Sequence, residues 1–148
     1  MNAYNAINAY SKTGLESSIA SADPHKLISM LYEGGLLAIA NAKKSILRND
    51  IPAKGASISK AIAIIGDGLH ACLDKDVGGE LAQNLSSLYD YMVYRLVAAN
   101  LANDIAILDE VSNHLAGLKD AWDSIRNVVP AAIQSKAVGK TQAAYGGI

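Results

Sequence analysis

Phenylalanine is absent from this chain of 148 residues, and cysteine and tryptophan occur once each. The single cysteine, Cys72, excludes an intramolecular disulfide and fits a reducing compartment. A surplus of basic charge is also lacking, since 13 basic and 14 acidic residues leave a net charge of −1. Without a basic stripe to neutralise phosphates, nucleic acid is not an expected partner. No apolar run approaches the ~20 residues of a membrane span, so direct membrane insertion is not expected. The opening MNAYNAINAYSK has neither the cationic start nor the apolar run of a signal peptide. These absences together predict a soluble, cytoplasmic protein.

What is present is apolar and helical. Hydrophobic residues make up 51% of the chain, and with no Phe this mass is mostly Ala, Leu, Ile and Val. Ala and Leu are strong helix formers, and no alternating Val/Ile/Thr run is bounded by hairpin turns. The expected fold class is all-α. A chain this long buries roughly 70% of its unfolded surface without staples, which fits one domain.

Local signals divide the chain into an arm, a bundle and a tail. Residues 1–22 read as an N-terminal arm with isolated apolar anchors, Ile7 and Tyr10 among them. Asp23-Pro24 then marks a helix start, with Asp as N-cap and Pro at the first helical position. The first helix is predicted from Pro24 to about Arg48, and Gly34-Gly35 in its middle implies close approach of another helix. A second helix is predicted from Pro52 to Leu73, with Ile58, Ile62, Ile65, Leu69 and Cys72 on one stripe. Asp74 to Gly79 reads as a turn, and a third helix as Glu80 to about Leu101. Asn103-Asp104 caps a fourth, whose seam runs Leu108, Val111, Leu115, Leu118, Trp122 and Ile125. Short turns between long helices predict an elongated antiparallel four-helix bundle over residues 23–127. Residues 128–148 form a tail expected to be mobile, with a short helix from Pro130 to Ala137 as the variant reading.

Catalytic and metal chemistry finds little to build on. His25, His70 and His114 show no His-Glu-x-x-His or Glu-x-x-His spacing, and the core stripes carry no carboxylates, so no metal and no cofactor are expected. Asp74-Lys75-Asp76 lacks the Gly-to-Glu spacing of a calcium loop and reads as a capped turn. The glycine pairs at 34–35 and 78–79 lack the strand and lysine of a phosphate loop. Cys72 lies on an apolar stripe, where a structural thiol is expected rather than a nucleophile. No nucleophile, base and oxyanion set assembles, and an enzyme is not expected.

The third helix carries one apolar stripe too many. Leu81, Leu85, Leu88, Met92 and Leu96 suffice to seat it in a core. A second stripe of Tyr91, Tyr94, Ala98 and Leu101 runs about a third of a turn away. Such a helix is either central in its bundle or keeps one side for a partner, and tyrosine suits a partner surface.

Several segments, taken in order, resemble the flagellar export chaperone family FliS. They are Ile7-Asn8-Ala9-Tyr10, SADPHKLISMLYEGG from Ser21 to Gly35, and the run from Ala53 to Leu69 that ends in SKAIAIIGDGL. GGELAQNLSSLYDYM from Gly78 to Met92, RLVAAN from Arg95 to Asn100, and Ala121-Trp122 complete the set. The tail after Pro130 has no counterpart in the family pattern, which leaves its role open. The resemblance implies a non-enzymatic helical bundle that binds the disordered C-terminal segment of flagellin and prevents premature polymerisation. It further implies delivery to the flagellar type III export apparatus, with the cytoplasmic domain of the export gate as a second partner. Candidate client-binding residues are Ile7 and Tyr10 on the arm, Ile58, Ile62, Ile65 and Leu69 on helix two, and Tyr91, Tyr94, Ala98 and Leu101 on helix three. Ordering a disordered tail costs on the order of 2–5 kcal/mol, so a long apolar groove is required. The alternative is a helical adaptor for another amphipathic client, such as an anti-sigma regulator.

Overall fold

The computed structural model describes residues 23–125. The sequence expectations for the arm, including Ile7 and Tyr10, and for the tail and its short helix lie outside those residues. Four helical segments make up the rest: α1 (Pro24–Leu47), α2 beginning at Ile51–Ala63, α3 (Lys75–Ala102) and α4 (Ile105–Ser124). Among the described residues there is no strand. The fold is an all-α helical bundle.

Every helix starts on an aspartate. The side chains of Asp23, Asp50, Asp74 and Asp104 accept hydrogen bonds from the backbone N–H groups of Lys26, Ala53, Val77 and Ile107. Each thereby satisfies a donor that the first turn leaves orphaned. Two of the exits are also marked, because Asn49 and Asn103 adopt positive φ (57° and 53°), a conformation that Asn tolerates better than most residues. Connections of two or three residues then leave no route but an immediate reversal of direction.

Contacts between helices follow that topology. His25, at the start of α1, meets Trp122 at the end of α4, while Lys43 near the end of α1 pairs with Asp109 near the start of α4. Lys54, at the start of α2, reaches Asn100 and Asn103 at the end of α3. Both pairs of helices are therefore antiparallel. The core they enclose is built from Ile28, Leu31, Tyr32 and Ile39 of α1, Ile58 and Ala61 of α2, Leu85, Tyr89, Met92 and Leu96 of α3, and Leu108, Val111, Leu115 and Trp122 of α4, joined by residues of the segment after α2.

The close approach implied by Gly34-Gly35 is present. Both glycines are buried, and a Cβ on Gly35 would lie 3.2 Å from Leu115 Cδ1 and 3.8 Å from Ile64 Cγ2. Omission of that methyl lets α4 and the second helix pack against the α1 backbone.

Three expectations need correction. The second helix is not one regular α-helix from Pro52 to Leu73. It becomes a π-helix over Ile64–Leu69 and a 3-10 turn over His70–Cys72. The π segment holds two glycines, Gly66 and Gly68, in the sequence IIGDGL. Poor helix propensity there weakens the regular ladder, while Ile64, Ile65 and Leu69 stay in the core. The stretch from Asp74 to Gly79 is not simply a turn. Helical structure already begins at Lys75, and Gly79 (φ 55°, ψ −130°) kinks it. That backbone conformation is one glycine adopts readily and other residues do not. Lastly, Leu81 is not in the core but 50% exposed. The buried face of α3 is turned toward Ala82, Leu85, Tyr89, Met92, Leu96 and Ala99.

Candidate functional site

The rotation of α3 decides what its second apolar stripe faces. With the core on the side of Tyr89, Met92 and Leu96, the residues Tyr94 and Leu101 fall roughly half a turn away, on the outside of the bundle. Tyr94 is 69% and Leu101 83% exposed. Tyr91 is 42% exposed and Ala98 half-buried, at the edge where α3 borders α4. Val97, also exposed, extends the same surface and was missed in the sequence reading. Its place three residues after Tyr94 and four before Leu101 was the signal that could have found it.

The stripe on the second helix lies elsewhere. Ile58, Ile65 and Leu69 are buried in the core, and Ile62 is a partly buried residue packed against it. In this arrangement the first three face the other helices and offer no surface to a partner. The bundle therefore brings together Tyr91, Tyr94, Ala98 and Leu101 as one outer strip, and it separates them from the residues of helix two.

Polar groups border the strip on the α4 side. Glu110 receives a hydrogen bond from the Tyr91 hydroxyl on Oε2 (2.5 Å) and one from Arg95 Nε on Oε1 (3.0 Å). Arg95 Nη2 also lies 2.9 Å from Oε1, and His114 Nε2 lies 3.5 Å from Oε2. The Tyr91 ring meets the His114 ring edge-on, with centroids 6.2 Å apart. Donation from Tyr91, then from Arg95, holds the Glu110 carboxyl below the usual carboxylate range. The same bond to Glu110 raises the Tyr91 hydroxyl and the Arg95 guanidinium above their ordinary values. The link from Glu110 to Tyr91 and Arg95 carried no signal in the sequence, because those partners lie on a different helix.

Behind the strip, α3 is fixed by buried polar pairs. The hydroxyls of Tyr89 and Tyr32 share a hydrogen bond of 2.7 Å inside the core. Burial pushes the Tyr32 hydroxyl up to about 12 and raises that of Tyr89 as well. Lys54, only 5% exposed, donates to the Asn100 carbonyl (2.8 Å) and to Asn103 Oδ1 (2.5 Å), which puts a positive charge at the C-terminal end of α3. At the far end of the bundle His25 and Trp122 stack at 4.6 Å. His25 Nε2 donates to the Trp122 carbonyl (2.9 Å) and Trp122 Nε1 to the His25 carbonyl (2.8 Å), tying α1 to α4.

None of this assembles into a reaction centre. His70 Nε2 lies 2.8 Å from Ser86 Oγ and 3.5 Å from Asp90 Oδ1. Both partners meet the same ring nitrogen, so Asp90 cannot orient the imidazole for attack by Ser86. Burial raises the Cys72 thiol to about 11, which keeps it protonated and unreactive at neutral pH. Among the described residues no cluster of His, Cys, Asp and Glu could hold a metal ion. No helix among them is long and apolar enough to cross a membrane.

Comparison with known proteins places the chain in a family. The model of the family described as flagellar protein FliS matches residues 6–129. The chain belongs to the FliS family. Its similarity to the flagellar secretion chaperone FliSB of Pseudomonas aeruginosa is 48% identity over 125 residues, covering 84% of this chain and 98% of the relative. To FliS of Salmonella typhimurium it is 47% identical over 119 residues, 80% of this chain and 88% of the relative. The more distant flagellar secretion chaperone FliS of Bacillus subtilis is 36% identical over 107 residues, 72% of this chain and 78% of that protein. The relatives of this FliS-family chain are named as chaperones, and the family is one of chaperones rather than enzymes. The matched span contains all four helices and the outer strip of α3.

Proposed function

We propose that this FliS-family chain is a cytoplasmic export chaperone for flagellin. It binds the disordered C-terminal segment, prevents premature polymerisation and helps pass the client to the type III export apparatus, with the cytoplasmic domain of the export gate as the receiving partner. The observation that carries this reading is the outer strip of α3, where Tyr91, Tyr94 and Leu101 expose apolar area opposite the core. Large exposed side chains gathered on one helix face are a liability unless a partner covers them. Polymerising ends of flagellin are expected to be amphipathic helices, and such a helix laid along the strip buries its own apolar face at the same time. Because ordering the client opposes binding, the contact must extend beyond the strip. Ile7 and Tyr10 of the arm are proposed to add to it.

Calorimetric titration tests the reading. Full-length flagellin should bind, and flagellin lacking its C-terminal segment should not. Equal binding of both would move the site off that segment, and no binding of either would refute the flagellin reading. Stronger binding to an anti-sigma regulator than to flagellin would make the bundle an adaptor for a different amphipathic client.

A further inference from the structure

An apolar strip bordered by an acidic residue poses a physical problem for any partner that covers it. A carboxylate stripped of water without replacement hydrogen bonds strongly opposes docking. Glu110 stands at that border, with its side chain 31% exposed, and its bonding capacity is filled from within the chain. Oε1 takes Nε and Nη2 of Arg95, and Oε2 takes the Tyr91 hydroxyl with His114 Nε2 beside it. The charges of Arg95 and Glu110 offset each other. Arg95 follows Tyr91 by four residues and precedes Ala98 by three, so all three share one edge of α3. A helix seated on Tyr91, Ala98 and Tyr94 therefore comes down beside the pair.

We infer that the Arg95–Glu110 pair, completed by Tyr91, is a self-neutralised border that makes this surface selective for the uncharged face of an amphipathic helical segment. This rests on the reading of the outer strip of α3 as the client surface. A lysine or arginine presented there would find the carboxylate already occupied and would meet the Arg95 charge. An acidic residue would meet Glu110. An uncharged residue covers the pair and leaves no charge without a partner, because the partner is supplied in advance. The pair also joins α3 to α4, so the strip is presented with its Tyr91 edge fixed, and less ordering remains to be done on binding. Arg95 and Glu110 are thus specificity-determining residues through what they prevent as much as through what they touch.

A double-mutant cycle read by calorimetry tests this, using the full chain and a synthetic peptide of the flagellin C-terminal segment. Its members are wild type, Arg95→Met, Glu110→Gln, and the two together, each checked for an intact helical signal and melting transition. Each single substitution should weaken binding by roughly tenfold or more, because it leaves the other charge to be covered without its partner. The double variant should recover to within about threefold of wild type, since no charge is left to strand. Wild-type affinity should also change by less than about threefold between roughly 0.05 and 0.5 M salt, as expected for a contact face without charges. Single-variant losses that simply add in the double variant would overturn the inference, as would a steep salt dependence of wild-type binding. Failure of the wild-type chain to bind the peptide would instead remove the client reading, and this inference with it.

Discussion

The hydrogen bond between Tyr32 and Tyr89 offers a sharp test of how the core is held. The two hydroxyls meet at 2.7 Å, and their residues are only 1% and 2% exposed. Substituting Tyr89→Phe keeps the ring and removes one hydroxyl, so the Tyr32 hydroxyl stays buried without this partner. An unsatisfied buried group costs about 1–3 kcal/mol, more than the net worth of the bond itself. The same range is expected for Tyr32→Phe. Removing both hydroxyls together leaves two apolar rings in contact, which can be nearly neutral, so the double variant should lie within about 1 kcal/mol of wild type. Urea unfolding followed by the helical signal measures all four proteins, and an unchanged slope with denaturant would show that the unfolded state is comparable. The pair adds an alkaline signature. Both hydroxyls have raised pKa values in the folded chain, Tyr32 at about 12, against an ordinary value of 10.0 in the unfolded chain. Above pH 10 the unfolded state therefore loses these protons first. Stability from these groups is flat below pH 10 and falls by about 1.4 kcal/mol per pH unit for each group as pH rises toward 12. The Phe/Phe variant should lose that part of the decline. A double variant destabilised by the full sum of the single losses, with the wild-type alkaline decline intact, would refute the reasoning.

Other expectations follow from single features. Lys54→Met removes two hydrogen bonds donated by a charged group to the end of α3, and should destabilise by about 1.5–3 kcal/mol in urea unfolding; no change would mean that water replaces the cap. At Gly35, Ala should stay within about 1 kcal/mol of wild type, because helix propensity offsets the 3.2 Å contact with Leu115, whereas Val should cost about 1–3 kcal/mol through overpacking. Thermal melts separate the two outcomes, and a neutral Val would show that the helices move apart freely. Tyr94→Ala with Leu101→Ala should alter stability by no more than about 0.5 kcal/mol per site while weakening capture of the flagellin C-terminal segment, since both side chains are exposed. A large stability loss would place them in the core instead.

The four helices were legible in the sequence because their signals are local. Asp23-Pro24 and Asn103-Asp104 mark helix starts within a few residues, and the structure places caps at Asp23 and Asp104. The seam of α4 was equally clear, since Leu108, Val111, Leu115 and Trp122 stand on a face with no competing apolar stripe and are all buried. Helix two was harder. Its stripe over Ile58, Ile65 and Leu69 is real and lies in the core, but the passage into a π-helix at Ile64 is a compromise between glycine-weakened backbone and the packing of Ile64, Ile65 and Leu69. The candidate site was half visible. Tyr91, Tyr94, Ala98 and Leu101 could be read from spacing, but the contacts of Glu110 to Tyr91 and Arg95 join residues 19 and 15 positions apart, respectively.

By itself, the sequence determined an all-α chain, the number of its helices, where all but α3 start, and the FliS membership carried by its ordered motifs. Tertiary structure alone decided which side of α3 became the core. Leu81 and Leu88 compete there with Ala82 and Tyr89, and spacing cannot rank two apolar faces a fraction of a turn apart. The ranking came from neighbours distant in sequence. Tyr32 supplies a hydroxyl for Tyr89, and Lys54 fastens the end of the helix. Once α3 was turned that way, Tyr94 and Leu101 had no core left to enter, and the outer strip follows from that rotation.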